Sequence, residues 1–175
     1  MKIFTLDIAT VTGYAIGVAG EIPRSGAVRL KKSIDHVFMA PFNMGCFLRD
    51  MFVMDKPDIV VIEHFLNPVA QKSADAIILQ LMCFGAAIYV CMSKGLRIET
   101  VMPATVRKHF CGVANAGNRA DTKRMVLSRA KALRYVPFDC VDDNRADACA
   151  IFDYAAATFA RVQPRDLVMF GEASE

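Results

Sequence analysis

The sequence has no C-x-x-C pair and no cluster of Cys and His at zinc-binding spacing, although it contains six cysteines. This absence argues against the usual zinc motifs and redox pairs. Most of the cysteines stand among apolar neighbours, where a free thiol behaves as a small buried hydrophobic side chain. We therefore expect free cysteines that serve only packing.

Long apolar runs are also absent, since none reaches the roughly 18 to 20 residues that a membrane span needs. The best candidate, residues 74–92, is interrupted by Asp75 and Gln80 and is better interpreted as a buried helix. An acid, Asp7, comes too early in the N-terminal segment for a signal peptide. We expect a cytoplasmic protein that does not associate with membranes.

No internal repeat, low-complexity tract or linker divides the 175 residues, so we expect one domain over residues 1–162 and a tail over 163–175. Strands are predicted at residues 2–8, 14–18, 25–30, 58–63 and 97–101, with a turn at Thr12 and Gly13. Helices are predicted at residues 34–54, 71–93, from Pro103 to about 110, 121–133 and from about 143 onward, with Ser33 capping the first. The stretch 111–121 is predicted to be a mobile loop. This order predicts an α/β fold with a mixed five-stranded sheet flanked by helices.

Positive charge is concentrated in one part of the chain, although the net charge is only +3. Between Lys94 and Arg134 there are ten Lys and Arg residues against two acids, Glu99 and Asp121, which leaves the rest of the chain acidic. Such asymmetry indicates either a basic surface for a polyanion beside an acidic site, or merely a solvated helix face.

Three acids stand where buried residues are expected: Asp7 ends the first strand, Glu63 ends the apolar run "DIVVIEHF", and Asp147 lies in the small, apolar stretch "ADACAIF". If the two strands are neighbours and the last helix packs on them, the three carboxylates meet at one edge of the sheet. Burying them together is costly unless a cation compensates. Ligands that are all oxygen favour Mg²⁺, with Mn²⁺ as the alternative.

A fourth ligand is expected just before Asp147. Asp143 lies four residues earlier and Asn144 three, so either can share a helix face with it. Asp143 is equally interpretable as a plain helix cap.

These motifs, taken together, resemble the RuvC-type Holliday junction resolvases of the ribonuclease H-like superfamily. "DIATVTGYA" resembles the first motif in its phage-like form, "DIVVIEHF" the second, and "DDNRADACAIFDYA" the closing acidic helix. "PATVRKHFCGVANAGNRADTKRMV" resembles the basic stretch between them. The segment after Glu63 is longer than in the bacterial housekeeping enzymes of the family.

The resemblance implies a ribonuclease H-like fold and a Mg²⁺-dependent endonuclease of DNA recombination and repair. It would cut four-way DNA junctions by paired symmetric nicks that leave 5′-phosphates, as a homodimer in the cytoplasm of a bacterium or of a phage-infected host. The metal would be held by Asp7, Glu63 and Asp147 with Asp143 or Asn144, and Lys123 would stabilise phosphate charge.

DNA contacts are implied for a set of basic residues and one aromatic: Arg107, Lys108, Arg119, Lys123, Arg124 and Phe65. Phe65 would wedge against bases at the branch point, or else be a core residue.

The apolar helix over residues 71–92 is the candidate dimer interface, with a buried intrachain helix as the alternative.

Three other functions can be compared with the junction resolvase: two fit the sequence less well, and one fits it equally well. An actin-like ATPase or sugar kinase also begins with Asp and a Thr-Gly turn, but it needs two domains and a second Gly-rich phosphate motif. A degenerate nucleic-acid-binding module is disfavoured because the three acids are retained. A related nuclease acting on RNA or on other branched DNA fits the same residues.

Overall fold

The computed structural model describes residues 1–64 and 74–163. Its centre is a five-stranded sheet in the order β3-β2-β1-β4-β5. The strands are β1 (Lys2–Asp7), β2 (Val11–Val18), β3 (Arg24–Arg29), β4 (Ile59–Glu63) and β5 (Arg97–Val101). The first three form antiparallel hairpins, whereas β4 runs parallel to β1 and β5 parallel to β4. The predicted mixed sheet is confirmed.

Helices cover both faces of this sheet. The described helices are α1 (Met39–Met54), α2 (Ala74–Ser93), α3 (Pro103–Cys111), α4 (Arg119–Ala132) and α5 (Asp143–Phe159). One hydrophobic cluster joins the sheet to α1 and α2, and a second joins it to α3, α4 and α5. Strand β4 is therefore buried on both faces, as its uninterrupted β-branched sequence predicted.

Side chains alternate between the two layers along β1, because successive residues of a strand point to opposite faces. Phe4 and Leu6 belong to the cluster with α1 and α2, whereas Ile3 belongs to the cluster with α5. Thr5 also faces α5, since its hydroxyl donates to the backbone oxygen of Ala148 at 2.8 Å. The same alternation directs the last residue of the strand, Asp7, towards α5.

Helix α1 begins later than predicted, at Met39 rather than near residue 34, and Ser33 does not cap it. Ile34 is 89% exposed, so no core contact favours helix at that point. The Asp35 carboxylate instead accepts a hydrogen bond from the backbone N–H of Lys32 at 2.6 Å. Such local side-chain bonds compete with helix formation, which explains the error.

Two predicted loops are also shorter than expected. Thr12 and Gly13 belong to β2 rather than to a turn, and the Thr12 hydroxyl closes the preceding turn by donating to the oxygen of Ala9 at 2.7 Å. The stretch between α3 and α4 is limited to residues 112–118 because Asn118 caps α4, accepting from the N–H of Asp121 at 2.9 Å.

Helix α2 is buried on only one side, so the expectation of a buried helix is half correct. Its predicted start near residue 71 lies outside the described residues. Leu79, Cys83, Ala87 and Cys91, spaced four apart, are buried against the sheet and α1. By length and composition alone α2 could cross a membrane, a test that core helices of soluble proteins also pass.

The six cysteines are all free thiols, as predicted. Cys83, Cys91 and Cys149 are buried, and burial raises the pKa of each thiol, to about 11 or 12. They are therefore protonated packing residues at neutral pH.

Candidate active site

Asp7 and Glu63 stand side by side at the same edge of the sheet. They end the neighbouring parallel strands β1 and β4. Leu6 and Ile62, the residues immediately before the two acids, are paired in the sheet. The two-residue repeat of each strand turns both carboxyl groups towards α5. A side-chain hydrogen bond joins Asp7 to Glu63.

Helix α5 brings Asp147 to these two acids because two contacts fix its first turns on the sheet. Gly13, the β2 partner of Asp7, has no side chain where the backbone oxygen of Asn144 lies; a Cβ there would be 1.9 Å from that oxygen. Further along the helix, the buried Thr5 hydroxyl binds the oxygen of Ala148. Asp147 is therefore held near the end of β1, where the charge of Asp7 acts on it.

The three carboxyl groups have raised pKa values. Burial is the largest cause for each, and it raises the pKa of Asp7 to about 6. Burial and the neighbouring charge of Asp7 raise the pKa of Asp147 to about 7, and they raise the pKa of Glu63 well above its usual range. Their side-chain hydrogen bond lowers the pKa of Asp7 and raises that of Glu63. Burial, with added repulsion between like charges, thus shifts the titration of these acids from the usual acidic range towards neutral pH.

The alternative that Asp143 caps α5 is wrong, because Asp142 occupies that position. The Asp142 carboxylate accepts from the backbone N–H groups of Asn144 and Arg145. Asp143 instead forms an ion pair with Lys123 and raises the pKa of Asp7 and Asp147 by its charge. The Asn144 side chain is turned towards Asp142, 3.5 Å away. Asp143 therefore lies with Lys123 and the acids, whereas the Asn144 side chain faces Asp142.

Three of the predicted cations lie within electrostatic reach of the acids. Lys123 lowers the pKa of Asp7 and Asp147, and Arg119 lowers that of Asp7. Arg107 lowers the pKa of both Glu63 and Asp147, and its Nε donates to the oxygen of Ala114 at 2.8 Å, which fixes its orientation.

The other predicted DNA-binding residues lie elsewhere. Lys108 is exposed on α3 and lines a separate shallow cavity with Tyr154. Arg124 is exposed and forms an ion pair with Asp121 on its own helix, at 3.2 Å. Phe65 lies outside the described residues.

A further buried carboxylate outside the acid cluster, Asp153, holds the helices that carry these cations. It accepts from the Tyr135 hydroxyl at 2.6 Å and contacts His109 Nε2 at 2.9 Å. These bonds tie α3, and the segment after α4, to α5. Sequence reasoning missed this group, together with Thr5 and Gly13; the only signal was a polar or small residue inside an otherwise apolar pattern.

The donor set of the acid cluster fits a divalent cation. It offers only carboxylate oxygens, as Mg²⁺ and Mn²⁺ prefer, and its raised pKa values show negative charge that a cation would compensate. Within the described residues, no three His, Cys, Asp or Glu side chains are arranged to hold an ion as they stand. Binding of a cation by Asp7, Glu63 and Asp147 would therefore require adjustment of their side chains and, because their pKa values are raised, release of bound protons.

Comparison with solved structures identifies the class of fold as ribonuclease H-like. No family model and no curated protein matches the sequence. The structure of RuvC from Thermus thermophilus matches with a TM-score of 0.69 and 15% identity, covering 94% of this chain and all of that one. The same protein in complex with a Holliday junction substrate gives a TM-score of 0.70 at 12% identity, with the same coverage.

A more distant resolvase has the same fold. The yeast mitochondrial Holliday junction resolvase Ydc2 gives a TM-score of 0.58 at 11% identity, covering 86% of this chain and 75% of that one. The motif resemblance found in the sequence thus extends to the whole fold, and the RuvC-type ribonuclease H-like fold is confirmed.

Proposed function

We propose that this chain is a metal-dependent endonuclease that resolves four-way DNA junctions by paired symmetric nicks leaving 5′-phosphates. The observation that carries the proposal is the meeting of Asp7, Glu63 and Asp147 at one sheet edge, ringed by Arg107, Arg119 and Lys123. The fold supports it, since one matching RuvC structure contains a Holliday junction substrate.

In this mechanism Asp7 is central, because it is hydrogen-bonded to Glu63 and its charge raises the pKa of both Glu63 and Asp147. These three acids, with Asp143, would hold Mg²⁺ or Mn²⁺. The bound metal would activate water and stabilise the leaving 3′ oxygen.

The chain's own cations handle the phosphate. Lys123 is paired with Asp143 and close to Asp7 and Asp147, so it can shift to a phosphate at the acids and offset its developing charge. Arg107, fixed through Ala114, would hold the strand on the Glu63 side. Arg119, exposed at the start of α4, would contact a neighbouring phosphate.

Symmetric cutting requires two active sites, so we also propose a twofold homodimer. The exposed face of α2 supports this, since Ile78, Leu81, Tyr89 and Met92 are 41–74% exposed. With Gly85 they follow the 3-4 spacing of a helix–helix seam, and Gly85 has open space around it, which allows a partner helix to approach closely.

We further propose that the protein acts in the cytoplasm of a bacterium or a phage-infected host.

The test uses a labelled mobile four-way junction with Mg²⁺ or EDTA, comparing the wild type with Asp7→Asn. Duplex DNA and an RNA–DNA hybrid of matching sequence are the control substrates. Symmetric paired nicks that need Mg²⁺ and vanish in Asp7→Asn would support the proposal. Equal cleavage of the control substrates would assign the chain to a related nuclease, and junction binding without cleavage would indicate a binding module.

A further inference from the structure

A basic groove lies beside α5, on the β3 side of the acid cluster. It has a volume of about 490 Å³ and is lined by twelve residues, among them four cations and no carboxylate. The cations are Arg24, Lys131, Arg134 and Arg145. Of these, only Arg24 forms an ion pair within residues 1–64 and 74–163, with Asp55 at 3.4 Å. The groove is therefore a strongly positive concave surface.

Arg145 connects the groove to the acid cluster. It lies in the first turn of α5, two residues after Asp143, and its Nε donates to the Ser25 hydroxyl at 2.8 Å. Ser25 lies two strands away from β1 and two residues below the level of Asp7. Strand spacing places its Cα about 12 Å from that of Asp7, or three to four nucleotides along a strand that rises about 3.4 Å per nucleotide.

Arg134 occupies a position where the backbone favours glycine. It follows α4 with φ of 59°, in the left-handed region. The N–H of Arg134 bonds to the oxygen of Lys131 and that of Tyr135 to the oxygen of Ala130, each at 2.9 Å. This is the Schellman arrangement, in which the left-handed residue is usually Gly. The chain thus carries a strained arginine here, and its side chain lines the groove.

An aromatic ring stands at the edge of the same groove. Phe138 is 89% exposed, although it could have been polar at no cost to the core. The Lys131 ammonium lies 5.9 Å from the ring centre, close enough for a cation–π contact that orients the ring. An exposed aromatic beside several cations is the combination that binds unpaired nucleotides, through stacking on the base and charge on the phosphates.

We infer that this groove binds a nucleic-acid strand that continues from the acid cluster, with Arg134 and Arg145 on its phosphates and Phe138 stacked on an unpaired base. The inference rests on the proposed function in that the strand is the one positioned for cleavage. It adds a second contact region at the C-terminal end of α4, the helix whose N-terminal half carries Arg119 and Lys123.

The test compares Arg134→Gly with Arg161→Gly in EDTA, where binding is measured without cleavage. Arg161 also has a left-handed backbone, with φ of 57°, but it follows the far end of α5. Both variants lose one charge and gain the favoured residue, so neither should lower the melting temperature. Binding is measured by fluorescence anisotropy on a four-way junction and on a 20-nucleotide single strand.

We expect Arg134→Gly to weaken binding roughly five- to tenfold and to reduce the salt slope by about 0.7 to 0.9, while Arg161→Gly stays near wild type. Phe138→Ala should weaken single-strand binding at least about fivefold, whereas Ile34→Ala, an equally exposed control, should not. Equal affinities for the two arginine variants, or no nucleic-acid binding by the wild type, would overturn the proposal that this groove binds nucleic acid.

Failure of the groove and failure of the proposed function give different results. If the wild type cleaves junctions and Arg134→Gly binds them normally, the proposed binding groove is rejected and the proposed nuclease function is retained. If Arg134→Gly selectively loses binding and the wild type cleaves no substrate, the binding groove is supported and the proposed nuclease function is rejected.

Discussion

Gly13 lies directly opposite Asp7 in the β1–β2 ladder, and the space its side chain would fill is occupied by the backbone oxygen of Asn144. The position paired with Asp7 is thus one of the points where α5 touches the sheet. Because Asp143 and Asp147 flank Asn144 on that helix, the absence of one Cβ sets the distance between the strand acids and the helix acids.

Substitution Gly13→Ala should therefore impair the site more than the overall fold. Its Cβ would be 1.9 Å from a backbone oxygen, so the start of α5 must move, at a cost of about 1 to 3 kcal/mol. We expect junction cleavage to fall at least about a hundredfold, since small displacements of catalytic groups are costly. Melting temperature and cleavage rate are the measurements.

Gly45→Ala is the matched control for this substitution. Gly45 lies inside α1, and a Cβ there would meet Val90 at an ordinary 3.9 Å. It should keep full cleavage and gain about 0.5 to 1 kcal/mol in the free energy of unfolding. Normal cleavage by Gly13→Ala would show that α5 does not need this contact to place its acids.

The acid cluster should make the metal-free protein less stable as pH rises. Burial and Asp7 raise the pKa of Asp147 from 3.8 to about 7, so between these values the folded state binds more protons than the unfolded state. Stability from this group is present at low pH and is lost as pH rises towards 7. Asp147→Asn should remove that part of the dependence and raise the melting temperature at pH 8 by a few degrees.

The measurement is thermal unfolding in EDTA at pH 5 and pH 8. Asp50→Asn, on the exposed side of α1, serves as the control and should retain the wild-type pH dependence. An unchanged pH dependence in Asp147→Asn would mean that the three carboxylates are not forced together as the structure places them.

Divalent cations should reverse this destabilisation. At ten times its Kd, Mn²⁺ would stabilise the folded state by about 1.4 kcal/mol, or roughly 3 to 6 °C in melting temperature. The shift should be larger at pH 8 than at pH 6, because protons compete for the same carboxylates. Asp7→Asn should abolish it; an equal shift in that variant would place the metal elsewhere.

Parts of this site could be predicted from sequence because they follow from local periodicity. Asp7 and Glu63 each end an apolar strand, and the two-residue repeat puts both on one face once the strands are paired. The late start of α1 could not be predicted, since Ser33 is a good cap by type and the exposure of Ile34 is known only from the folded structure. The cap at Asp142 could not be predicted either, since Asp142 and Asp143 are equally good caps by type. The left-handed Arg134 was likewise invisible, because nothing in the sequence marks an arginine that occupies a glycine position.

Adjacent cations on α3 should differ in function, although the sequence assigned both to DNA. Arg107 lies within electrostatic reach of Glu63 and Asp147, whereas Lys108 is exposed and faces another cavity. We expect Arg107→Gln to reduce the single-turnover cleavage rate about tenfold or more. Lys108→Gln should change only the salt dependence of binding, by at most one phosphate contact. Equal effects on the cleavage rate would contradict the observed geometry.

The exposed seam of α2 predicts how the protein assembles. Tyr89 is 74% exposed at its centre, between Gly85 and Met92. Tyr89→Glu would bury a charge in the proposed interface, which costs several kcal/mol if unpaired, so the dimer should dissociate. Light scattering after size exclusion measures the mass, and Ile34→Glu, 89% exposed but outside α2, controls for an added charge.

Loss of the dimer should convert paired nicks into unpaired ones, because each junction would then meet one active site at a time. A monomeric wild type that still nicks in pairs would show that the two cuts do not need this seam.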